Sequence, residues 1–389
     1  MVLNIILATL ALLSLALTFW QWIVARHFRL HQRTSDKADI PAVTALKPLK
    51  GLEAETRECL RSWFTQTYDG PTQLLFGVAC AEDPVCATVR ELIRAHPQCD
   101  ADLVICGQSA AINAKVSTLI QLQPLARHDI VVASDADVRV PGDFLANVVP
   151  PLSDPSVGLV NCFYRLANPT TLAMHWEAIA TNADFWSQVL QSQSLRPLDF
   201  ALGAVMVTRR EELEAIGGFE TLADYLADDY QLGRLIAGRK KQILLSTVVV
   251  DCWSDPMDWR QVWSHQLRWA RTIRICQPIP YFFSILSNAT IWPLIWLLIQ
   301  PSLLSLTVSA GCLLVRLATA MNNYRRMSRP LEQSVTLWLV PIKDLLQAAI
   351  WALAFLGNRV QWRAQTYRVQ PDGKLKPINS PTGKERQDS

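Results

Sequence analysis

Ile130-Val131-Val132-Ala133-Ser134-Asp135-Ala136-Asp137 is the stretch on which the fold turns. Its short, β-branched apolar run predicts a buried strand, and two carboxylates follow one residue apart at the C-terminal end. In open α/β sheets ligands collect at that edge. Carboxylates so close repel unless a cation lies between them, and oxygen donors suit Mg²⁺ or Mn²⁺ carrying a diphosphate. A simple Asp-rich turn is the alternative, since Asp favours turns unaided.

Outward from this strand, short apolar runs alternate with helical patterns, as in a mostly parallel sheet covered by helices. Val43 to Leu49 predicts a first strand ending in Lys47-Pro48-Leu49-Lys50-Gly51, with a helix over about 54–65. A second strand over 73–80 closes in Glu82-Asp83-Pro84, and a helix runs on to about Ala95. A third over 102–106 leads to a loop carrying Asn113 and Lys115. Further strands are expected at 158–164, 204–208 and 243–250, with helices over 228–237 and, Trp-rich, over 259–272.

The flanks are different in kind. Half of the 389 residues are hydrophobic, and the excess is concentrated. Residues 3–24 carry no charge and are long enough to span a bilayer, which takes about 20 residues. Without a basic leader or small-residue cleavage site, this segment predicts an anchor rather than a cleaved signal. Arg26, His27, Arg29, His31, Arg33 and Lys37 follow, placing that side in the cytoplasm by the positive-inside rule. A second apolar block over 281–321, interrupted at Pro301, predicts a hairpin of two spanning helices that exits at Arg316, Arg325, Arg326 and Arg329. A third, over 335–357, holds Lys343 and Asp344 near its middle; charges at that depth must be paired or face protein, so a re-entrant or interfacial course is expected. The domain plan is therefore an anchor (1–25), a catalytic domain (38–280), membrane helices (281–357) and a basic cytoplasmic tail (358–389), flexible beyond about Arg368. Nine scattered cysteines without metal spacing predict reduced thiols, and a net charge of +3 without a basic stripe argues against nucleic acid. The bilayer is the partner the composition indicates.

Each remaining acidic candidate follows a strand or opens a helix. Asp83 could meet a nucleoside or cap a helix. Asp228-Asp229 could serve a ligand or compensate a helix N-terminus. On the Trp-rich helix, Gln266 and Arg268 could reach anionic oxygens while Trp269 walls a pocket, or the helix could simply lie on a membrane surface.

In order, Asp83, Asp135-x-Asp137, Asp229 and Gln266-Leu267-Arg268-Trp269 resemble the D, DxD, D, (Q/R)xxRW series of membrane-bound inverting glycosyltransferases of the GT-A fold, with one residue rather than two between Gln266 and Arg268. Lys47 to Gly51, Asn113 to Val116, Gly217-Gly218-Phe219, Ala227 to Tyr230, His265 to Thr272 and Val360 to Arg363 narrow the likeness to the ceramide glucosyltransferase family, which includes bacterial hopanoid-associated glycosyltransferases. The likeness covers almost the whole chain. It implies a Rossmann-like GT-A domain in the cytoplasm, held in a membrane such as the bacterial inner membrane by an N-terminal helix and C-terminal spanning or re-entrant helices. It implies a UDP-sugar donor, a lipid acceptor (ceramide or a polyol hopanoid), and Mn²⁺ or Mg²⁺. Asp137 would be the principal metal ligand with Asp135 beside it. Pro48, Asp83, Lys115 and Asp135 would serve the nucleotide, Arg268 with Gln266 and Trp269 the reacting centre, and Asp229 would be the general base. One departure is the segment 192–203, which holds Asp199 but no histidine where animal ceramide glucosyltransferases carry one. A processive polysaccharide synthase, a polyprenyl-phosphate sugar transferase and a non-catalytic membrane scaffold are the competing expectations.

Overall fold

The computed structural model describes residues 1–33, 40–107, 109–329, 336, 338–362 and 365–378. Lys37 and Arg363, named above, and the first residue of the 335–357 stretch lie outside the described residues. Eight strands build the main sheet: β1 (Val43–Leu49), β2 (Thr72–Val78), β3 (Asp100–Ile105), β4 (Ile130–Ser134), β5 (Val138–Arg139), β6 (Val157–Leu166), β7 (Val205–Arg209) and β8 (Gln242–Cys252). Their order is β3-β2-β1-β4-β7-β6-β8-β5. The first four in that order are parallel, β7 is antiparallel to both neighbours, and β6 and β8 run parallel. Every residue of β1 and β4 is buried, which is why both are mostly apolar, with Thr44, Lys47 and Ser134 as buried polar exceptions. Alternate residues supply two cores. Val43, Ala45 and Val132 face Leu60, Trp63 and Val89 on one side. Leu46, Val131 and Ala133 face Leu119, Phe163 and Trp186 on the other.

Two helices of 26 residues, Val2–His27 and Leu303–Ser328, are long and apolar enough to cross a membrane. At 1.5 Å per residue each extends roughly 39 Å, against about 30 Å of hydrocarbon. The expected first arm of the hairpin is instead a broken pair, Pro278–Ser287 and Ile291–Ile299, bent by 55°. Asn288 explains the break, since its Oδ1 accepts the Thr290 and Ile291 N–H groups (3.1 and 3.0 Å) and so starts a new helix. The third stretch forms a helix over Leu339–Ala354 whose 16 residues reach only about 24 Å. Its charges are paired inside the protein. Arg316 bonds both carboxylate oxygens of Asp184 (3.0 and 2.8 Å) and both of Asp344 (2.8 Å each), and Lys343 also bonds Asp184. Two acids and two bases thus neutralise one another.

The tail does not behave as the charge pattern suggests. Strands β9 (Arg359–Trp362), β10 (Gln365–Val369) and β11 (Leu375–Pro377) form a separate antiparallel sheet. Val360, Tyr367, Val369 and Leu375 bury against Leu226, Ile112 and Ile275, leaving Arg359, Arg368 and Lys376 exposed. Leu375 N–H donates to Asp224 O (2.7 Å), so the sheet is stitched to the backbone just ahead of Asp228.

Candidate active site

The site lies at the C-terminal ends of β1 and β4. Lys47, fully buried near the end of β1, donates from Nζ to Ser134 Oγ (3.1 Å) and to the Asp135 carbonyl, and stands 4.9 Å over the Trp63 ring. Burial lowers its pKa to about 8, against the opposing pull of Asp137. Lys47 therefore fixes the turn that carries the two aspartates. Pro48, next in β1, is buried opposite Gly77.

Asp135 points to Lys115 Nζ (2.8 Å), which also reaches Asp228 Oδ2 (3.1 Å). Lys115 was expected in a loop; it sits in the first turn of a helix (Ala114–Leu122) because Asn113 caps it, accepting from Lys115 and Val116 N–H. The Asn113 amide also donates to Tyr225 O (2.9 Å), locking this helix start to the segment leading to Asp228. Burial opposes the Lys115 charge, but Asp135 and Asp228 outweigh it and hold the pKa well above the usual lysine value. Lys115 is thus a charged link between the Asp135 turn and the helix Asp228–Gly238.

Asp229 follows in that helix. Its Oδ1 accepts the Tyr230 N–H (2.7 Å), and its Oδ2 overhangs Gly203 so closely that a Cβ there would lie 2.8 Å away. Desolvation and the neighbouring Asp228 push its pKa up to about 7, with Lys115 opposing. Asp137 faces solvent, yet crowding by protein and the Asp135 charge raise it to about 7 as well. Among the described residues no cluster of three His, Cys, Asp or Glu forms a metal cage. The protein supplies two hard oxygen donors, the carboxylates of Asp135 and Asp137. That donor set fits a divalent cation that takes its remaining ligands from a diphosphate and water.

Asp83 accepts Gly51 N–H (2.9 and 3.1 Å) and Val85 N–H (3.0 Å). It therefore clamps the loop after β1, where Gly51 adopts φ +72°, to the helix Val85–Ala95. Asp83 thus holds the entry to that helix from one residue ahead of its capping position, Pro84.

The helix Trp259–Cys276 starts with a capping box between Asp258 and Gln261 and buries Val262, Gln266 and Ala270 on one face. Gln266 was expected to reach anionic oxygens. Its amide instead donates to Glu177 Oε1 (2.9 Å), which also accepts His265 Nδ1 (2.6 Å). Trp269 packs on His265 (4.6 Å between ring centroids), Tyr164 and Phe185 (6.4 Å each). Trp259 and Trp263 both pack on the buried Trp176, while Trp259 remains 43% exposed. Glu177, Tyr164 and Lys47 are the site residues that sequence patterning did not assign. Glu177 lies in Leu172–Ile179, ahead of a π-helical stretch over Ala180–Phe185 that interrupts helical periodicity.

Residues 6–375 match the model of glycosyl transferase family 21. The chain belongs to that family. The family 21 enzyme is 22% identical over 362 residues to ceramide glucosyltransferase 3 of Caenorhabditis elegans, covering 90% of this chain and 77% of that protein. It is 25% identical over 206 residues to the beta-monoglucosyldiacylglycerol synthase of Trichormus variabilis, covering 52% of this chain and 43% of that one. Its fold is that of the mannosyltransferase PcManGT from Pyrobaculum calidifontis, solved with GDP-Man and Mn²⁺, at a TM-score of 0.52 and 21% identity over 89% of this chain and 98% of that one. This family 21 glycosyltransferase is accordingly a GT-A hexosyltransferase and a membrane protein.

Proposed function

We propose that the enzyme transfers glucose from UDP-glucose to the hydroxyl of a ceramide-type lipid at the cytoplasmic membrane face, with inversion at the anomeric carbon. The observation that carries this reading is the Asp135–Lys115–Asp228 bridge, which ties the carboxylate turn to Asp229 across the cleft. Asp229 is the general base. A carboxylate with a pKa near 7 can take a proton from an attacking hydroxyl at neutral pH, and Gly203 leaves its Oδ2 uncovered by a side chain. Asp137 and Asp135 would hold Mn²⁺ or Mg²⁺. Such an ion supplies Lewis-acid stabilisation to the departing diphosphate. Lys115 adds fixed positive charge beside that position, and Arg268 supports the same oxygens from the Trp259–Cys276 helix. Asp83 and Pro48 shape the nucleoside end of the cleft. Gln266 holds the helix against Glu177, and Trp269 walls the acceptor side.

A lipid acceptor is supported by the continuity of that helix with the apolar pair Pro278–Ser287 and Ile291–Ile299. The cytoplasmic side is supported by Arg26 and His27 closing the first spanning helix and by Arg325 and Arg326 closing the second. Replacing the base, Asp229→Asn, should abolish turnover while UDP still binds, as followed by calorimetry. Loss of UDP binding in that variant would contradict the assignment.

A further inference from the structure

Tyr230 follows Asp229 in the first turn of the helix Asp228–Gly238 and reaches away from the donor side. Its N–H donates to Asp229 Oδ1 (2.7 Å), and its hydroxyl donates to the Cys276 carbonyl (2.9 Å) at the end of the Trp259–Cys276 helix. The same hydroxyl accepts from Gln277 Nε2 (3.0 Å), while Gln277 Oε1 accepts from Arg196 Nη2 (3.3 Å). Arginine only donates, so the amide oxygen faces Arg196 and the amide nitrogen faces Tyr230. The chain therefore runs in one sense, from Arg196 through Gln277 and Tyr230 to the Cys276 carbonyl. Gln277 gives it a fixed origin, because this residue closes one helix and opens the next, Pro278–Phe283. Its N–H donates to Ile273 O (2.7 Å) and its carbonyl accepts the Tyr281 N–H (2.9 Å). The Tyr230 ring stacks on Phe200 (6.3 Å, 19° between planes), and a Cβ on Gly233 would collide with the backbone of Phe200 and Ala201. At 3.6 residues per turn, Asp228 and Tyr230 leave the helix about 200° apart with Asp229 between them. Lys115 holds the Asp228 flank (3.1 Å) and Gln277 the Tyr230 flank.

We propose that Tyr230 and Gln277 form a brace that positions Asp229 for the attacking hydroxyl, referenced to the helix junction at Gln277 and independent of the donor. Both are positioning residues, acting on Asp229 through the first helical turn. The Tyr230 hydroxyl both donates and accepts within the protein, so it holds the turn and moves no proton. The brace rests on the assignment of Asp229 as the base and adds what keeps that carboxylate in place. Without it the turn is held on the Lys115 side alone, and a base displaced by a fraction of an ångström loses its reach to the acceptor.

The test uses the full chain in detergent with UDP-glucose and short-chain ceramide. Turnover is divided by the UDP-binding sites counted by calorimetry, so that unfolded protein does not enter. Tyr230→Phe keeps the ring on Phe200 and removes only the hydroxyl. Gln277→Met keeps the side-chain length and removes both of its hydrogen bonds. Each should lower kcat about tenfold, with donor KM, acceptor KM and UDP affinity within about twofold of wild type. The double variant should lose no more than the worse single one, because both changes break the same brace. A kcat within about twofold of wild type in both variants overturns the inference, as does a kcat loss accompanied by raised KM values. Losses that multiply in the double variant overturn it too, since they belong to separate roles. Asp229→Asn, run alongside, separates the two claims. If it is inactive while the brace variants are unchanged, the brace alone is refuted; if it still turns over, the base fails and the brace with it.

Discussion

Gly203→Ala isolates the placement of the base from every other property of the site. Gly203 has no positive φ, so alanine introduces no backbone strain there; its Cβ would meet Asp229 Oδ2 at 2.8 Å, Cγ at 3.3 Å and Cβ at 3.4 Å. The first distance is about 0.6 Å short of ordinary carbon–oxygen contact, and the carboxylate must swing away to relieve it. A rotation of one side chain costs little stability, so the thermal midpoint should move by no more than about 2 °C. The chemistry is less tolerant: a misplacement approaching 1 Å can cost about a hundredfold, and a shift of this size is expected to lower kcat about 10- to 100-fold. Donor KM and UDP affinity should not change, because Asp83, Asp135 and Lys115 are untouched. The assay is steady-state glucosyl transfer followed by product mass, with UDP binding by calorimetry and unfolding by intrinsic fluorescence. A kcat within twofold of wild type would refute the assignment of Asp229. So would a proportionate loss of UDP binding, which would place the carboxylate on the donor side.

Three other perturbations probe the parts of the account separately. With Asp229 raised to about 7, its base form is lost as pH falls, so kcat at saturating metal and substrates should drop below about pH 7 with unit slope; a flat profile down to pH 5.5 would exclude this base. Arg316→Leu leaves Asp184 and Asp344 buried with only Lys343 between them, and should destabilise the protein by about 3–5 kcal/mol, read as a lowered thermal midpoint in detergent. A chain ending at Pro371 loses β11 and the Leu375–Asp224 hydrogen bond, and should lose most of its kcat while a control chain ending at Ile378 keeps it.

Much of the sheet was legible because its strands are buried on both faces. Ile130–Ala133 reads as a continuous apolar run for that reason, and the carboxylates after it, Asp135 and Asp137, fell where the sheet edge demanded. The partner of Gln266 was not legible. Glu177 lies 89 residues away, ahead of a π-helical stretch, and nothing local marks it as facing the Gln266 helix. The tail misled for a different reason. Arg359, Arg368, Lys374 and Lys376 dominate its composition, whereas the informative pattern is the sparse set Val360, Tyr367, Val369 and Leu375. Three short strands without a long apolar run give a weak signal until Leu226 is seen beneath them. Lys343 and Asp344 announced that their helix could not simply span, but their neutralising partners, Arg316 and Asp184, come from segments 28 and 159 residues away.

The central claim is that this cleft joins one hexose from a UDP-sugar to one lipid hydroxyl. Its most direct test is mass analysis of the products formed when purified enzyme is given UDP-glucose, ceramide and Mn²⁺ or Mg²⁺, with EDTA as control. The account predicts a single added hexose on the lipid, β-linked, and no product with EDTA. A ladder of repeated additions, or an α-linked product, would contradict it.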